Sequence, residues 1–333
     1  MAKWYKIPDN NKLRPFTFIV GGRGIGKTYS AIDEGITNHR NTFLYLRNTR
    51  EQLRESCGAF GNPFKKWAGD HDRDIRLVSE KNHALIKEWK NDGQHIIEDI
   101  IGSGANLSTF ENLRGVDLSE TNFILFDEFI ENRTLTFDQF KAFLHMYETV
   151  NRNRELKGCA PVQLLCLANA NDITNPVFES LNLIRIADRM QKKGTERWTD
   201  DKRGIQLIML QRSPISRKKS QTVLYNLTEG SGYSSMAIGN SFNVDRQHIR
   251  PRPLSEYVPV CLLGELCIYR HKSEPRLYCT THQAGVFSRK FGTSDTDVIF
   301  YRRVFCHHWE MYIQNQVDFE DVLSEKLFLH FWE

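Results

Sequence analysis

The feature that most constrains the fold of this chain is a glycine-rich motif near its start. The motif consists of Gly21, Gly22, Arg23, Gly24, Ile25, Gly26, Lys27 and Thr28. It matches the P-loop pattern G-x-x-x-x-G-K-[ST] at every fixed position. The apolar run 16–20 predicts a buried strand before the motif, and the spacing of Ile32 and Ile36 predicts a helix after it. A P-loop requires this strand–loop–helix context.

A P-loop of this kind predicts a bound nucleoside triphosphate. Its backbone N–H groups turn toward phosphate oxygens, and the N-terminus of the following helix adds a partial positive charge. We expect Lys27 to reach the β- and γ-phosphates and the Thr28 hydroxyl to bind Mg²⁺. The dinucleotide pattern G-x-G-x-x-G does not fit, because Lys27 stands where the third glycine would follow Gly22 and Gly24. The predicted cofactors are therefore ATP and Mg²⁺.

Two carboxylates end a second apolar run, about 100 residues after the P-loop. Residues 123–126 predict a buried strand, and Asp127 and Glu128 follow it directly. In P-loop hydrolases this is the Walker B position, where Asp127 would hold Mg²⁺ and Glu128 would orient and deprotonate the attacking water. Acids at a strand end are common on protein surfaces. In the same chain as a P-loop, however, they predict a hydrolytic site.

Two further polar residues end predicted strands. Arg47 follows the strand 42–46, and Asn169 ends the strand 162–169. Because α/β sheets bind ligands at the carboxyl ends of their strands, Arg47 is a candidate contact to nucleotide or nucleic acid. On the same ground Asn169 is a candidate sensor of the γ-phosphate or the attacking water. The alternatives are a solvated charge for Arg47 and a turn-forming asparagine for Asn169.

The order of the predicted elements indicates an α/β fold with a mostly parallel sheet and helices on both faces. Buried strands are predicted at 16–20, 42–46, 123–126, 162–169 and 204–210. They favour a P-loop ATPase domain of the ASCE type (additional strand, catalytic glutamate), with one strand between the P-loop strand and the Walker B strand. Short runs between 75 and 101 predict a small antiparallel insertion, with a hairpin turn at Asn91, Asp92 and Gly93.

A helix is predicted from the capping box of Thr136 and Gln139 onward. The residues at helical spacing, which we expect to face the core, are Phe137, Phe140, Leu144 and Tyr147. The helix is expected to continue through Arg152 and Arg154. These two side chains would then point about 200° apart, so at most one of them could serve any one site.

Three segments are predicted along the chain: a P-loop ATPase motor domain at 1–212, a partly helical linker at 213–245 and a small α+β domain at 246–333. The linker's basic run is either a solvated face or a phosphate contact. It comprises Arg217, Lys218 and Lys219.

The C-terminal segment is expected to lack nuclease activity. Its tail at 317–331 is expected to be helical. Glu265 is the acid on its main strand pair, and Asp295, Asp297 and Asp318 are expected in loops. A two-metal nuclease needs a convergent set of acids, which this spacing does not supply.

Length and composition exclude several classes. At 333 residues with 40% apolar residues, the chain is expected to form two domains with ample cores. A net charge of +4 is compatible with a nucleic-acid partner without requiring one. The seven cysteines include no C-x-x-C pair, which predicts reduced thiols in a cytosolic protein. We expect neither a membrane span nor a signal peptide.

Four stretches of the sequence resemble the DNA-packaging motor ATPases of phi29-like podophages. They are 18–27 with the P-loop, 126–130 (Phe-Asp-Glu-Phe-Ile), 149–155 (Thr-Val-Asn-Arg-Asn-Arg-Glu), and 167–170 (Leu-Ala-Asn-Ala) with Asn175-Pro176 beyond it. They follow the family's order and span most of the first 180 residues. The Asp-Glu-Phe-Ile and Arg-Asn-Arg-Glu strings are far more specific than a P-loop alone. The C-terminal part matches only in length and general strand pattern.

The resemblance implies a homopentameric ring at a portal vertex that drives double-stranded DNA into a procapsid. Relatives dock on the portal through a packaging RNA. The resemblance thus implies an ATP-hydrolysing motor in the host cytoplasm, present only transiently at the procapsid and absent from the mature virion. It also implies a C-terminal domain similar to an RNase H nuclease without its metal-binding acids.

Several site residues are assigned by the resemblance alone. It implies that Arg152 is the arginine finger that completes a neighbour's site, and that Arg114, where relatives have lysine, acts across the same interface. Arg50 falls on a basic residue that relatives place toward the DNA channel, and Arg54 in the same stretch is a further candidate contact to DNA. Glu131 stands where relatives have a basic residue, which departs from the family pattern.

Three other classes of protein share parts of this pattern. A small-molecule P-loop kinase would need an acceptor pocket and usually a lid with arginines, whereas Glu128 after Asp127 favours water as the acceptor. A DNA helicase or another phage-assembly P-loop ATPase is the main alternative, and DNA-stimulated hydrolysis without strand separation would distinguish packaging from unwinding. A nucleotide-binding scaffold without activity would lack Glu128.

Overall fold

The chain forms two compact units, each of which has its own β-sheet. The computed structural model describes residues 4–8, 12–91, 95–113, 117–131, 135–169, 173–210, 221–228 and 246–332. The first unit comprises Met1–Ser180 and Arg189–Asn243, and the second comprises Leu181–Asp188 and Val244–Glu333. The sequence predicts different bounds, with a first domain that ends at 212 and a second that begins at 246, and these bounds remain a prediction.

Nine strands form one sheet in the described part of the first unit. They are β1 Phe16–Gly21, β2 Phe43–Arg47, β3 Asp74–Ser79, β4 Ala84–Asn91, β5 Ile96–Asn106, β6 Phe123–Asp127, β7 Gln163–Asn169, β8 Arg197–Asp200 and β9 Ile205–Leu210. The order across the sheet is β3-β4-β5-β2-β6-β7-β1-β9-β8. The six central strands, which are adjacent in the order β5-β2-β6-β7-β1-β9, pair in parallel. The outer pairs β3–β4, β4–β5 and β8–β9 are antiparallel.

Strand β7 lies between the P-loop strand β1 and the Walker B strand β6, as predicted. The register pairs Gly21 with Asn169 across β1 and β7, and Asp127 with Leu167 across β6 and β7. The carboxyl ends of the three parallel strands therefore lie side by side at one edge of the sheet. This order confirms the predicted fold class and brings the residues that end these strands within reach of one another.

Helices cover both faces of the large sheet. Those that pack on it are α1 Lys27–Asn38, α2 Arg50–Ser56, α3 Lys65–Asp70, α4 Gln139–Asn151 and α5 Pro176–Ser180. Two further helices, α6 Ile184–Lys193 and α7 Val223–Leu227, follow along the chain. Successive strand residues point to opposite faces. Ile19 of β1 accordingly packs in a core cluster with Ile32 and Ile36 of α1. On the other face, the Phe18 ring contacts the rings of Phe129 and Phe178.

The register predicted for α4 is wrong. The helix is capped by Asp138, whose side chain accepts a hydrogen bond from the Lys141 N–H, and not by Thr136. Its buried apolar residues are Phe143, Met146 and Val150. The predicted stripe lies beside this face: Phe137, Phe140 and Tyr147 are half-buried, and Leu144 is exposed. Large aromatic rings flank the core here; the Tyr147 ring, for example, packs against Phe16. These flanking residues also recur at helical spacing, which is why the sequence pattern assigned them to the buried face.

The predicted antiparallel strands after residue 74 are present, and they extend the large sheet at one side. Strand β5 pairs with β4 antiparallel and with β2 in parallel, so it joins both parts. Asp92 and Gly93 of the predicted turn lie outside the described residues. The short edge strand β8 was not predicted from the sequence.

The second unit is an α+β arrangement, as predicted. Its elements are β10 Tyr257–Leu263, β11 Leu266–His271, β12 Leu277–Thr280, β13 Lys290–Phe291, α8 Asp295–Val304, α9 Cys306–Ile313, β14 Val317–Phe319 and α10 Val322–His330. The strand order is β13-β10-β11-β12-β14. The tail is therefore not helical throughout, because β14 pairs in parallel with β12 before α10 begins.

Asp318 does not lie in a loop, as the sequence had suggested. It lies in β14 and is fully buried. Its carboxylate is 2.8 Å from Arg252 Nε, 3.0 Å from Arg276 Nη1 and 3.6 Å from Arg250 Nη1. A buried carboxylate requires such partners. Within the described residues, no group of three or more His, Cys, Asp or Glu side chains could hold a metal ion.

Only 221–228 of the predicted linker is described, and it contains α7. The predicted basic run of Arg217, Lys218 and Lys219 lies outside the described residues. In the part of the chain that the structure describes, no helix is long and apolar enough to cross a membrane.

We expect Gly35→Ala to destabilise the first unit. A Cβ at Gly35 in α1 would lie 2.7–2.9 Å from ring atoms of Phe43, whose ring is buried and cannot move aside. Overpacking of this kind costs about 1–3 kcal/mol of the free energy of unfolding. Gly69→Ala is the matched control: α3 offers open space there, and alanine in a helix gains up to about 1 kcal/mol. Thermal unfolding checks this pair, and a raised midpoint for Gly35→Ala would contradict the packing.

Candidate nucleotide-binding site

Lys27 is buried within its own glycine-rich loop. Its Nζ donates hydrogen bonds to the carbonyl oxygens of Gly21 at 2.8 Å and Gly22 at 2.7 Å, and to Asn169 Oδ1 at 3.3 Å. Gly24 and Gly26 have φ angles of 66° and 100°, a conformation that glycine adopts without a steric cost. The loop thus closes round the ammonium group at the carboxyl end of β1, where phosphate oxygens can replace its carbonyl partners.

Asp127 is a buried carboxylate that three side chains contact. Its Oδ1 accepts a hydrogen bond from Thr28 Oγ1 at 3.1 Å, and its Oδ2 accepts one from the Tyr45 hydroxyl at 3.3 Å. Arg47 Nη1 lies 3.6 Å from the same Oδ2. Burial raises the pKa of Asp127, whereas the Arg47 charge lowers it. Burial also raises the pKa of Tyr45, so its hydroxyl stays protonated at neutral pH.

Glu128 lies in a strained turn at the end of β6. Its φ of 55° is left-handed, which costs a residue other than glycine about 1–2 kcal/mol. The next N–H, that of Phe129, donates to the Leu167 carbonyl in β7 at 3.0 Å and holds the turn in place. Because of this turn, the Glu128 side chain leaves the core and is half exposed at the nucleotide pocket.

Arg47 pairs with both Walker B carboxylates. Besides its contact to Asp127, its Nη2 donates to Glu128 Oε2 at 2.6 Å. Burial lowers the pKa of Arg47, but Tyr45, Asp127 and Glu128 together raise it more, so the guanidinium remains charged. The solvated-charge alternative is thus excluded, since the Arg47 side chain is only 12% exposed. Arg47 thus contacts both acids of the pocket without lining the pocket itself.

A polar network behind Glu128 was not predicted from the sequence. Asn48 is fully buried, and its Nδ2 donates to the Glu128 carbonyl at 2.9 Å and to Glu131 Oε1 at 2.8 Å. Gln139 Nε2 donates to Asn48 Oδ1 at 2.7 Å, and Gln52 Nε2 donates to Glu131 Oε1 at 2.5 Å. Glu131 is therefore an acceptor in this network. The sequence feature that could have indicated this network is Asn48, a second polar residue directly after Arg47 at the end of a predicted strand.

Most of the predicted nucleotide-binding residues line an open pocket of about 460 Å³, whereas Gly21, Gly22 and Arg47 are not part of its lining. Its lining consists of Arg23, Gly24, Ile25, Gly26, Lys27, Thr28, Tyr29, Asp127, Glu128, Leu167, Ala168 and Asn169. The P-loop, the Walker B acids and Asn169 thus come together from three separate stretches. The Thr28 and Asp127 oxygens lie 3.1 Å apart, and Mg²⁺ prefers such oxygen ligands, so this pair fits the ion.

The other predicted residues do not line this pocket. Arg50 and Arg54 are exposed on α2, where Arg50 Nη2 donates to the Lys81 carbonyl at 3.5 Å. Arg152 is half exposed, and its Nη1 lies 3.7 Å from Asp117 Oδ1. Arg114 lies outside the described residues.

The prediction that Arg152 and Arg154 share a helix is wrong. Helix α4 ends at Asn151, and Arg152 and Asn153 both have left-handed φ angles, 46° and 54°. Arg154 begins a separate 3-10 turn, and its Nη2 donates to the Ser119 carbonyl at 3.1 Å. Helical geometry therefore does not decide between the two arginines.

The strand order, the P-loop and the acid pair that ends β6 define the class: the first unit has the fold of an ASCE-type P-loop NTPase. Residues 5–253 match the podovirus DNA encapsidation protein (Gp16) family. Because this match covers well over half of the sequence, the chain belongs to that family.

Curated relatives are DNA packaging proteins of Bacillus phages. The protein of phage phi29 is 27% identical over 241 residues, which cover 70% of this chain and 64% of the relative. The protein of phage B103 is 27% identical over 237 residues, which cover 69% of this chain and 64% of the relative. The chain thus spans somewhat less than two thirds of the length of these relatives.

Two solved structures share the fold across nearly the whole chain. The bacteriophage Phi-29 viral genome packaging motor assembly has a TM-score of 0.62 at 20% identity and covers 96% of both chains. The Phi-28 gp11 DNA packaging motor has a TM-score of 0.58 at 18% identity and covers 100% of this chain and 97% of that chain. At these identities the likeness shows the common fold.

We expect Arg47→Met to destabilise the chain in a pH-dependent way. The substitution leaves Asp127 buried without its cation, and breaking a buried pair costs about 3–5 kcal/mol of the free energy of unfolding. Because burial already raises the pKa of Asp127, losing Arg47 raises it further. The penalty is therefore fully present above this raised pKa and shrinks as the pH falls through it and Asp127 is protonated. Urea unfolding between pH 7 and pH 4 measures this trend.

The matched control is Arg54→Met, which removes an exposed arginine from α2. It should change the free energy of unfolding by no more than about 0.5 kcal/mol at any pH. A loss of stability for Arg47→Met that does not depend on pH would contradict its pairing with Asp127.

Proposed function

We propose that the chain is an ATP-hydrolysing motor that drives double-stranded DNA into a phage procapsid. The observation that carries this proposal is the convergence of Lys27, Thr28, Asp127, Glu128 and Asn169 on one pocket. A phosphate-binding loop, oxygen ligands for a cation and a carboxylate that can accept a proton are the groups that hydrolysis of a nucleoside triphosphate needs. Membership of the DNA encapsidation family supports packaging as the work that hydrolysis drives.

Hydrolysis at this pocket gives each side chain a role. Lys27 neutralises charge on the β- and γ-phosphate oxygens, and Glu128 accepts a proton from the attacking water. Bound Mg²⁺, held by Thr28 and Asp127, would add charge neutralisation there. Asn169, 3.3 Å from Lys27 Nζ, is placed to respond to the γ-phosphate.

Arg47 controls whether Glu128 can act as a base. A carboxylate that accepts a 2.6 Å hydrogen bond from a guanidinium is less available to a water proton. In this proposal, Glu128 turns its Oε2 from Arg47 toward the attacking water during hydrolysis. The buried Asp127 keeps Arg47 in place while Glu128 moves.

Arg152 is proposed as a finger that completes the site of a neighbouring subunit. Asn151 Oδ1 accepts a hydrogen bond from the Val162 N–H at 2.9 Å, next to the start of β7, whereas the pocket lies at the other end of β7. A strand of seven residues spans about 20 Å. Arg152 is therefore out of reach of its own pocket, which supports a role across an interface in a ring.

The remaining assembly partners are proposed from family membership. The chain would act as a ring, most simply a pentamer, at the portal of a procapsid through a packaging RNA. It would be present in the host cytoplasm during assembly and absent from the mature virion. Arg50 and Arg54, exposed after β2, would contact DNA phosphates, and Arg114 would act at the ring interface.

We also propose that 1–212 is the motor domain, that 213–245 is a linker and that 246–333 is a vestigial RNase H-like domain without nuclease activity. The state of Asp318 supports the last point. Its carboxylate is buried and neutralised by Arg250, Arg252 and Arg276, so it is not available to a catalytic metal.

We expect Glu128→Gln to abolish ATP hydrolysis while ATP still binds. The amide keeps the size of the side chain but cannot accept the proton of water, and loss of a general base costs about 10²–10⁴-fold in turnover. The measurement is phosphate release with and without double-stranded DNA, beside a nucleotide-binding assay. Glu120→Gln, at an exposed glutamate, is the control and should leave both unchanged. Wild-type turnover by Glu128→Gln would exclude this site for the reaction.

We expect Arg152→Ala to bind ATP and to hydrolyse it very slowly. A finger supplied by a neighbour is worth about 10³–10⁵-fold in turnover. Mixing Arg152→Ala with Glu128→Gln should restore some hydrolysis, because an intact finger of one chain then meets an intact pocket of the other.

Arg154→Ala, mixed with Glu128→Gln in the same way, is the matched control. If Arg152 is the finger, Arg154→Ala alone should keep most of its turnover. Recovery on mixing with Arg154→Ala, together with none for Arg152→Ala, would instead assign the finger to Arg154.

A further inference from the structure

A segment ahead of β1 is bound to the P-loop. The Tyr5 N–H donates to the Ile25 carbonyl at 3.0 Å, and the Ile7 N–H donates to Ser30 Oγ at 2.9 Å. The side chains of Tyr5 and Ile7 also pack against the core cluster that contains Ile25. The segment 4–7 is thus fixed both to the loop and to the first turns of α1.

This segment brings Trp4 against Gly26. A Cβ built on Gly26 would lie 3.3 Å from Trp4 Cβ and 3.5 Å from Trp4 Cε3. Gly26, with its φ of 100°, is therefore required here for two reasons: the left-handed backbone and the close approach of Trp4. Trp4 itself is 58% exposed, so more than half of a large aromatic surface remains open beside the loop.

We propose that Trp4 forms the platform on which the purine base of the nucleotide stacks. This inference rests on the proposed function, in which the phosphates bind the loop of which Gly26 and Ile25 are part. With its phosphates held there, the base must lie against a surface that borders the loop, and a flat aromatic ring is the surface that a base favours. The hydrogen bonds of Tyr5 and Ile7 hold the backbone that carries Trp4 beside the loop before the nucleotide arrives, which reduces the entropy lost on binding.

The ligand class follows from this arrangement. Stacking uses the face of the ring, which every base has, and a two-ring purine covers more of an indole than a one-ring pyrimidine does. Trp4 would therefore increase the affinity for purine nucleotides without affecting a ligand that has phosphates alone.

The experiment compares Mg-ADP with Mg-pyrophosphate, which lacks the base, by calorimetry on the full chain. Trp4→Ala should weaken ADP binding on the order of 10-fold or more, the usual effect of removing a stacked aromatic side chain. Its affinity for pyrophosphate should stay within about twofold of the wild type. Trp4→Phe, which keeps an aromatic face, should retain most of the ADP affinity.

The matched control is Trp89→Ala. Trp89 is a half-buried tryptophan in β4, and five strand spacings, about 24 Å, separate β4 from β1. It should leave the ratio of the two affinities unchanged. Unchanged ADP binding by Trp4→Ala would overturn the inference, and so would an equal loss for ADP and pyrophosphate, which would mean that Trp4 only supports the loop. A wild type that binds neither ligand would overturn the proposed function itself.

Discussion

The active edge of the large sheet depends on one buried charge, the Asp127 carboxylate. Charges are costly to bury, and Asp127 is stabilised because Thr28, Tyr45 and Arg47 all contact it. These partners come from α1 and β2, so the carboxylate joins the P-loop helix, the second strand and the Walker B strand. The strained backbone of Glu128 follows directly and is held by Asn48 and β7.

In the proposed reaction, the site has two states that differ by a single hydrogen bond, and the structure has the one in which Arg47 contacts Glu128. With Arg47 on Glu128, the carboxylate is a partner in an ion pair, and without it the carboxylate is a free base. Arg47 lies at the start of the segment that leads into α2, where Arg50 and Arg54 are exposed. In the proposed motor, this segment would connect the hydrolytic site to the arginines that we propose contact DNA.

Much of the fold could be predicted because local patterns and global topology agree. The runs that became β1, β2, β6, β7 and β9 are almost wholly apolar, as central parallel strands must be. Where two faces of an element are nearly equivalent, the prediction failed. In α4 the aromatic residues Phe140 and Tyr147 border the core, while Phe143 and Val150 fill it, and the spacing alone could not separate the two sets.

The sequence by itself determined the P-loop and the acid pair that ends β6, because these are local motifs whose geometry follows from a strand, a turn and a helix. Only the tertiary structure decided what their neighbours do. It pairs Arg47 with Glu128, places the buried Asn48 against the Glu128 carbonyl and brings Trp4 close to Gly26. These contacts join residues that are far apart in the sequence, so local patterns of residue spacing could not predict them.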